Sequence, residues 1–275
     1  MSHILIAGLG DLGSGLAKKM LEDGHRVSAI RRGDQCPPGV ELYSQDLTEG
    51  AAMLPPDPVD LLVIIMTPSE YSEEGYLKAF VRAPLTLLDA LAGQQPLPPV
   101  VFVSSSAVFG DLDGQVDERT PPRPTRYNGK VLLAAEEEIS IRTLSTVVRF
   151  TGIYGPGRHR QIDKAARLAR GEEALPAAQW TNRIHRDDCV GLLHSVAEGW
   201  LAGREMPPLV VGTDKVGGRN LDVLQWLAEQ QGLTLDVPDD TAAGKQVNSL
   251  YIAQGHYTLQ YPGYQDGYAQ VLAER

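Results

Sequence analysis

Apolar residues in the first half of the chain occur in two patterns, as short continuous runs and as single positions at helical spacing. Continuous runs are typical of parallel strands buried on both faces, and helical spacing is typical of helices with one buried face. The runs predict strands at 4–7, 26–30, 40–43, 60–66, 99–104 and 145–149. The spaced positions predict helices from Leu12 to Gly24, through Met53, at 76–91 and at 130–141. Because strands and helices alternate, we expect an α/β fold with a doubly wound parallel sheet of the Rossmann type.

The pattern changes after Arg149, where glycine, proline and arginine become frequent. Helices are predicted in this part at 162–169, 187–198 and 221–231. We expect residues 1–150 to form one domain around the predicted sheet. Residues 151–275 are expected to form mainly a smaller C-terminal lobe, interwoven with the sheet.

Composition narrows the class of protein. With 275 residues the chain can build a sizeable core, and its net charge of −10 argues against nucleic acid or an anionic membrane as a partner. Cys36 and Cys189 lie far apart and the histidines form no metal-ligand motif, so neither a disulfide framework nor a metal site is expected. No run approaches the roughly 20 apolar residues of a membrane span and the first residues lack a signal peptide, which predicts a cytoplasmic protein.

The first predicted strand runs directly into a glycine-rich loop, Gly8-Leu-Gly-Asp-Leu-Gly13. In a G-x-G-x-x-G loop, the first glycine makes a tight turn and the second lets a pyrophosphate approach the backbone. The third glycine lets the following helix pack close to the strand, and the N-terminus of that helix stabilises the anion. The loop therefore predicts a dinucleotide site at Gly8, Gly10, Asp11, Leu12 and Gly13. Residues 1–150 are accordingly expected to be the dinucleotide-binding domain, and residues 151–275 mainly the substrate-binding lobe.

The end of the second strand indicates which dinucleotide binds. An acidic residue there would bind the adenosine ribose of NAD, but the chain has Arg31 and Arg32, whose forked donors suit the 2′-phosphate of NADP. We therefore predict NADP, and the nearby Asp34 leaves NAD open as an alternative. Asp46 and Leu47 follow the third strand, where the chain is expected to pass the adenine end of the cofactor. Two more cofactor contacts are predicted at the end of the fourth strand, Met66 and Thr67.

The opening motif is similar in two families, the β-hydroxyacid dehydrogenases and the extended short-chain dehydrogenases/reductases, the NAD-dependent epimerase/dehydratase family. Three later segments resemble the second family in its own order. Residues 101–110 resemble the fifth strand with its serine-bearing loop, residues 148–157 the sixth strand with its Y-G-P-G loop, and residues 183–188 the strand and helix start before paired aspartates. The lysine-bearing helix of the hydroxyacid family has no evident counterpart.

The resemblance implies a catalytic tyrosine whose pKa is lowered by a lysine four residues later, with a serine that orients the substrate oxygen. Ser105 matches the serine by position. Tyr127 and Lys130 are the candidate pair, but their spacing is three, which still places them on one helix face. If Glu136 or Glu137 is instead aligned with the family's acidic residue, Leu132 or Leu133 falls at the lysine position and the pair is absent. The chain therefore resembles an atypical member with a degenerate Tyr/Lys dyad.

The resemblance also implies further contacts for the cofactor and the substrate. Cofactor contacts are expected from Lys130, Thr151 and Ile153, and substrate contacts from Ser106, Tyr154, Arg158 and His185. Arginine and histidine are frequent between residues 149 and 186, which indicates an anionic ligand in an otherwise acidic protein.

The expected function is that of an oxidoreductase of the epimerase/dehydratase type. Its substrate is expected to be a small, polar, anionic, nucleotide-sugar-like hydroxyl or carbonyl compound. A non-catalytic NADP(H)-binding sensor is the alternative from another class, and the β-hydroxyacid dehydrogenase interpretation is the weakest of the three. The resemblance also implies a homodimer through the helices at 76–91 and 130–141.

Overall fold

The strands and helices of the protein were located in a computed structural model that describes all 275 residues. The strands are β1 His3–Ala7, β2 Arg26–Arg31, β3 Glu41–Ser44, β4 Leu61–Ile64, β5 Val100–Ser105, β6 Gly114–Val116, β7 Ser145–Phe150, β8 Gly152–Tyr154, β9 Trp180–Thr181, β10 Arg183–His185, β11 Leu209–Gly212, β12 Gly218–Arg219 and β13 Lys245–Val247. The helices are α1 Asp11–Glu22, α2 Glu73–Tyr76, α3 Ala83–Ala92, α4 Tyr127–Ser140, α5 Arg160–Ala169, α6 Arg186–Leu201, α7 Asn220–Glu229, α8 Leu250–Ala253 and α9 Tyr264–Ala273.

Seven strands form one parallel sheet in the order β11-β7-β5-β4-β1-β2-β3, which confirms the predicted doubly wound fold. The first strand is completely buried and pairs with β2 on one side and β4 on the other, with Ile4 opposite both Val27 and Leu61. Its apolar run therefore reflects contact with helices on both faces of the sheet. The predicted strands are all present, with ends that differ by a few residues. The later strand β11, which no pattern predicted, adds the seventh position at the edge beside β7.

The predicted helix through Met53 is wrong, because residues 51–55 have no regular structure. Two hydrogen bonds join the side-chain amide of Gln45 to the backbone of Met53, at 2.7 and 2.8 Å, and close this segment into a loop. Asp46 starts the loop by accepting the backbone N–H of Thr48 at 2.9 Å, as in an Asx turn. Side-chain capping of the backbone therefore replaces the helical hydrogen bonds here.

The predicted helix at 76–91 is present but starts earlier and is irregular. It comprises α2, a six-residue π-helical segment Leu77–Arg82, and α3. Pro84 lies in the first turn of α3 and has no N–H to donate into the preceding turn, which fits a change of hydrogen-bond register at this point.

The chain forms two compact units, each assembled from three segments. Unit 1 contains Met1–Gly110, Pro122–Arg149 and Val190–Val210, and it holds most of the large sheet. Unit 2 contains Asp111–Pro121, Phe150–Cys189 and Val211–Arg275, and its core includes residues of β8, α5, α7 and α9. The domain boundary near residue 150 stays a prediction. No helix in the chain is both long and apolar enough to cross a bilayer.

Candidate functional site

The glycine loop after β1 has the backbone geometry that a pyrophosphate cradle needs. Gly8 has a φ of +102°, and a Cβ at this position would lie 1.9 Å from the carbonyl oxygen of Ile65. A Cβ at Gly13 would lie 2.2 Å from the carbonyl oxygen of Gly8, so both positions exclude a side chain. Gly10 is exposed at the start of α1 and has no atom within 4 Å of where its Cβ would be. Its backbone is therefore open to an anion at a helix N-terminus.

The loop opens on a cavity of about 460 Å³ in unit 1. A long, polar ligand fits this space, because pockets for small molecules and cofactors commonly have volumes of this order. The predicted cofactor residues that line it are Gly8, Gly10, Arg31, Arg32, Asp46, Leu47, Met66 and Thr67. Among the lining residues that no sequence pattern indicated are Gln45, Ser69, Glu70 and Lys78.

Four other predicted cofactor residues of unit 1, Asp11, Leu12, Gly13 and Lys130, lie outside the cavity lining. Asp11 is exposed in the first turn of α1, Leu12 is buried against the core, and Gly13 makes the close approach to Gly8. Lys130 lies on α4, and Thr151 and Ile153 belong to unit 2. The structure therefore brings together the predicted residues that follow β1, β2, β3 and β4.

The arginines at the end of β2 are held on the wall of the cavity by neighbouring loops. The Arg31 guanidinium donates to the carbonyl oxygen of Gln35 at 2.7 Å. Arg32 donates to the hydroxyl of Ser69, and its Nη1 lies 4.0 Å from a carboxylate oxygen of Asp46. Burial opposes ionisation of Asp46, but hydrogen bonds from Thr48 and the charge of Arg32 together hold its pKa below its ordinary value. Each guanidinium keeps N–H groups for a ligand, because five donors exceed the contacts made.

The serines at the end of β5 lie beside a buried ion pair. Ser105 caps a short 3-10 helix, Ser106–Phe109, by accepting the backbone N–H of Ala107 at 3.2 Å. The hydroxyl of Ser104 donates to Glu136 of α4 at 2.5 Å, and the Arg149 guanidinium of β7 donates to the same carboxylate at 2.6 Å. All three side chains are buried, so they tie β5, α4 and β7 together below the candidate serine. Arg149 is therefore neutralised within the core of unit 1 and does not face an anionic ligand.

No hydrogen bond joins the candidate tyrosine to the candidate lysine. The Tyr127 hydroxyl donates to the backbone oxygen of Tyr71 at 2.8 Å, and its ring packs edge-on against Tyr76. Lys130 is exposed, and its ammonium makes no hydrogen bond or ion pair. In the alternative alignment on Glu136, the lysine position falls on Leu132, which is buried. Neither alignment gives the tyrosine with a lysine four residues later that the family chemistry requires.

The candidate substrate residues of unit 2 differ in exposure. Arg158 is exposed, whereas Tyr154 is buried with its hydroxyl donating to the backbone oxygen of Gly263 at 3.2 Å. His185 is completely buried, its ring lies 3.9 Å from that of Tyr261 between centroids, and its Nε2 has no hydrogen-bond partner. Burial lowers the pKa of His185, so its neutral form is favoured. Ser106, the remaining candidate, is half-buried in unit 1.

Unit 2 also contains a buried acid that no motif indicated. Asp214 follows β11, and neither of its carboxylate oxygens has a hydrogen-bond partner. Burial raises the pKa of Asp214 to about 8, although the positive charge of Arg183 opposes the shift. Arg183 is itself buried, with its guanidinium 5.5 Å from the ring centroid of Tyr264. No sequence signal distinguishes an aspartate like this one from an exposed loop aspartate, because only the tertiary packing buries it.

The chain is similar in sequence to one protein family and in fold to several solved structures. The model of the NAD-dependent epimerase/dehydratase family matches residues 4–203. Protein YeeZ of Escherichia coli strain K12 is 27% identical over 204 residues, which cover 70% of this chain and 72% of YeeZ. A proposed NAD-dependent epimerase/dehydratase from Methylobacillus flagellatus is 34% identical, with a TM-score of 0.84 over 99% of this chain and 98% of that protein. MoeE5 in complex with UDP-glucuronic acid and NAD is 22% identical, with a TM-score of 0.77 over 98% of both chains, and this likeness concerns the fold alone.

Proposed function

Because the chain belongs to the NAD-dependent epimerase/dehydratase family, we propose that it is an NADP(H)-linked oxidoreductase of the epimerase/dehydratase type. The resemblance predicted from the glycine loop and the later motifs is thereby confirmed, and it argues against the β-hydroxyacid dehydrogenase alternative. One observation carries the proposal: the glycine cradle and the two arginines after β2 line the same cavity of about 460 Å³. When bound, the dinucleotide supplies hydride transfer, and the protein supplies its orientation.

The preference for NADP rests on charge at the wall of this cavity. Arg31, Arg32 and Lys78 line it together with the acidic residues Asp46, Glu49 and Glu70. The charges at the end of β2, where NAD would need a carboxylate, are those of the two arginines. Phosphate oxygens fit the forked donors of arginine, and a charge-assisted hydrogen bond contributes about 1.5–3 kcal/mol. The Asp46 carboxylate, whose pKa is lowered, lies 4.0 Å from Nη1 of Arg32 and helps to hold this guanidinium on the cavity wall.

Fluorescence titration with NADPH and NADH tests this preference. We expect Arg31→Ala and Arg32→Ala each to weaken NADPH binding about tenfold or more, and to change NADH binding little, because only NADPH carries the 2′-phosphate. Arg82→Ala is the matched control, since Arg82 is an exposed arginine paired with Glu74 outside the cavity lining. Equal losses for the two nucleotides would refute the 2′-phosphate role.

The proposed reaction site lies at the carboxyl end of β5 and the start of α4. Ser105 is half-buried and its hydroxyl can donate to a substrate oxygen while accepting from Ala107. Tyr127 is 37% exposed and is the candidate acid or base, and Lys130 contributes positive charge from the next turn. Proton transfer by Tyr127 requires that its hydroxyl leave the carbonyl oxygen of Tyr71.

The proposed substrate is a small anionic, nucleotide-sugar-like hydroxyl or carbonyl compound. MoeE5 binds UDP-glucuronic acid, which is a substrate of this chemical class. In this chain, Ser106, Arg158 and the backbone around Tyr154 are the proposed substrate contacts, and Thr151 and Ile153 the proposed additional cofactor contacts. His185 is buried, and its proposed role is to hold Tyr154 in place by edge-on ring packing, with 5.3 Å between the ring centroids.

Turnover assays test the proposed reaction. Purified protein with NADPH or NADP and a panel of nucleotide sugars and small carbonyl compounds is followed by two readouts. Net oxidation or reduction of a compound changes the absorbance at the nicotinamide band, and redox-neutral conversion, in which the hydride returns to the product, is detected as a new product by NMR. We expect Tyr127→Phe to lower the rate at least about 100-fold, as is typical for loss of general acid–base catalysis. Ser140→Ala, at the far end of α4, is the control. An unchanged rate in Tyr127→Phe would remove Tyr127 from the mechanism.

A second candidate function is a non-catalytic NADP(H)-binding sensor. The observation that favours it is the hydrogen bond of the Tyr127 hydroxyl to the backbone oxygen of Tyr71, which leaves this phenol without a hydrogen bond to the exposed Lys130. NADPH binding without turnover of any compound in the panel would favour the sensor over the enzyme.

A further inference from the structure

A group of histidines and carboxylates lies where α1 ends beside α6, away from the dinucleotide cavity and within unit 1. His194 Nε2 lies 2.5 Å from Asp23 Oδ2, and His25 Nε2 lies 3.0 Å from Glu198 Oε1. One ligand atom from each of Asp23, His194 and Glu198 lies within 4.8 Å of the other two. The sequence showed no metal-ligand motif here, because the three residues come from two distant segments.

Helix geometry explains why these side chains meet. His194 and Glu198 are four residues apart on α6 and therefore lie on one face, a turn apart. Val190 occupies the preceding turn of the same face, and a Cβ at Gly15 of α1 would lie 2.7 Å from its Cγ2. The missing side chain at Gly15 thus lets α1 approach α6 closely. Asp23, at the C-terminal end of α1, is then brought against His194.

The carboxylates of Asp23 and Glu198 are incompletely compensated by hydrogen bonds and positive charges. Asp23 is the C-cap of α1, where the helix dipole is negative and a carboxylate is unfavourable. Glu198 Oε1 is buried and has no hydrogen-bond partner, because His25 is near it but not aligned to donate. The His25 Nδ1 accepts the backbone N–H of Ser2 at 3.2 Å, so its ring is fixed beside Glu198. A cation at the centre of the group would bind both carboxylates and offset the dipole.

We propose that Asp23, His194 and Glu198 bind a divalent transition-metal ion of the zinc type. Imidazole nitrogen and carboxylate oxygen are both zinc ligands, whereas magnesium and calcium prefer oxygen alone. The ion replaces the direct contact between His194 and Asp23, with one side-chain atom from each residue as a ligand, and water completes a tetrahedral site. His25 positions Glu198 from the protein side. Such a site joins the end of α1 to α6.

Calorimetric titration of the tag-free protein of residues 1–275, first dialysed against a chelator, tests the proposal. We expect one Zn²⁺ per chain and a higher melting temperature with Zn²⁺ than without it. His194→Gln and Glu198→Gln should each weaken Zn²⁺ binding at least about tenfold, as loss of one ligand of three does. Glu22→Gln, at an exposed carboxylate next to Asp23, is the matched control and should leave the affinity unchanged.

Three results would overturn the proposal: no stoichiometric Zn²⁺ binding, binding retained in both ligand variants, or an equal response to Mg²⁺. Circular dichroism of each variant establishes that it is folded before the titration, and both ligand side chains are partly exposed, so their replacement leaves the core intact. Absorption of the Co²⁺-loaded protein gives an independent readout, because visible d–d bands report tetrahedral coordination. None of these measurements depends on the proposed enzyme activity.

Discussion

Glu136 is the residue on which three elements of unit 1 depend. Its carboxylate accepts from Ser104 and from two nitrogens of Arg149, and the pair is almost completely buried. Removing the negative charge leaves a buried guanidinium uncompensated, and Arg149 Nη1 already has no partner. We expect Glu136→Gln to lower the free energy of unfolding by about 3–5 kcal/mol, measured by urea denaturation. A loss below about 1 kcal/mol would show that the pair is not the tie between these elements.

The buried carboxyl of Asp214 predicts how the stability of the protein depends on pH. Burial raises its pKa to about 8, so between about pH 4 and pH 8 the folded protein holds a proton that the unfolded chain has lost. The stability that this group contributes is complete below the unfolded pKa and is lost as pH rises toward the folded pKa, at about 1.4 kcal/mol per pH unit. Asp214→Asn removes this loss, so its melting temperature should exceed that of the parent by more at pH 8.5 than at pH 5.

The groups that face Asp214 bear on this prediction. Arg183 opposes the shift, Asp188 reinforces it, and Asp214 in turn contributes to raising the pKa values of the phenols of Tyr154 and Tyr268. Melting curves of Asp214→Asn and its parent from pH 5 to pH 8.5 isolate the contribution of the one carboxyl. A difference in melting temperature that is constant over this range would contradict a raised pKa.

Single residues could be predicted from the sequence where the chemistry permits only one residue type. Gly8 and Gly13 are such positions, because any Cβ there meets a backbone oxygen. Ser69 and Lys78 line the same cavity but follow no motif, since loop folding and the π-helical segment bring them there. The sequence indicates Glu136 only as an alignment position, because its burial against Arg149 follows from tertiary packing.

At the scale of elements, the docking of α4 determines where Tyr127 lies. A Cβ at Gly129 would lie 2.6 Å from the carbonyl oxygen of Ala107 and 2.9 Å from Pro124, so the first turn of α4 has no space for a side chain. Helix propensity alone predicts that Gly129→Ala stabilises the protein by up to about 1 kcal/mol. We expect the opposite, a loss of about 1–3 kcal/mol from overpacking, with a displaced Tyr127. Ala134→Gly, exposed on the same helix, should cost about 1 kcal/mol through propensity alone.

Urea denaturation of the two α4 variants distinguishes these effects by sign. If Gly129→Ala stabilises the protein, the close approach between α4 and the 3-10 turn is not a constraint.

The elements themselves could be predicted because apolar runs and helical spacing are local signals, as for β1, β4 and β5. The loop at 45–55 could not be predicted. Two hydrogen bonds between the side-chain amide of Gln45 and the backbone of Met53 hold it, and such bonds produce no periodic pattern in the sequence.

At the scale of the whole molecule, the two units do not correspond to two consecutive halves of the chain. Unit 1 recruits Val190–Val210 from beyond residue 150, and with it most of α6 and the start of the edge strand β11. The backbone N–H of Val147 donates to Pro208 at 2.9 Å, and the Trp200 indole donates to Thr146 at 3.0 Å. The interweaving of a C-terminal lobe with the sheet stays a prediction. The sequence predicts the helix at 187–198 but gives no sign that most of it belongs to unit 1, and β11, with four residues, is too short to give a pattern.

This organisation predicts the behaviour of a fragment that ends at residue 150. Such a fragment keeps the glycine loop and the cavity residues, but it loses α6 and β11 and exposes the apolar surface that they cover. Leu192, Leu193 and Val196 of α6 have no exposed surface, and burial of each such side chain contributes about 1.5–3 kcal/mol. Because domains are stable by only about 5–15 kcal/mol, we expect fragment 1–150 to show no cooperative thermal transition and no NADPH binding. Circular dichroism melts and fluorescence titration measure both, and co-expression of residues 151–275 should restore them. A sharp transition with NADPH binding in the isolated fragment would show instead that the sheet folds without the α6 segment.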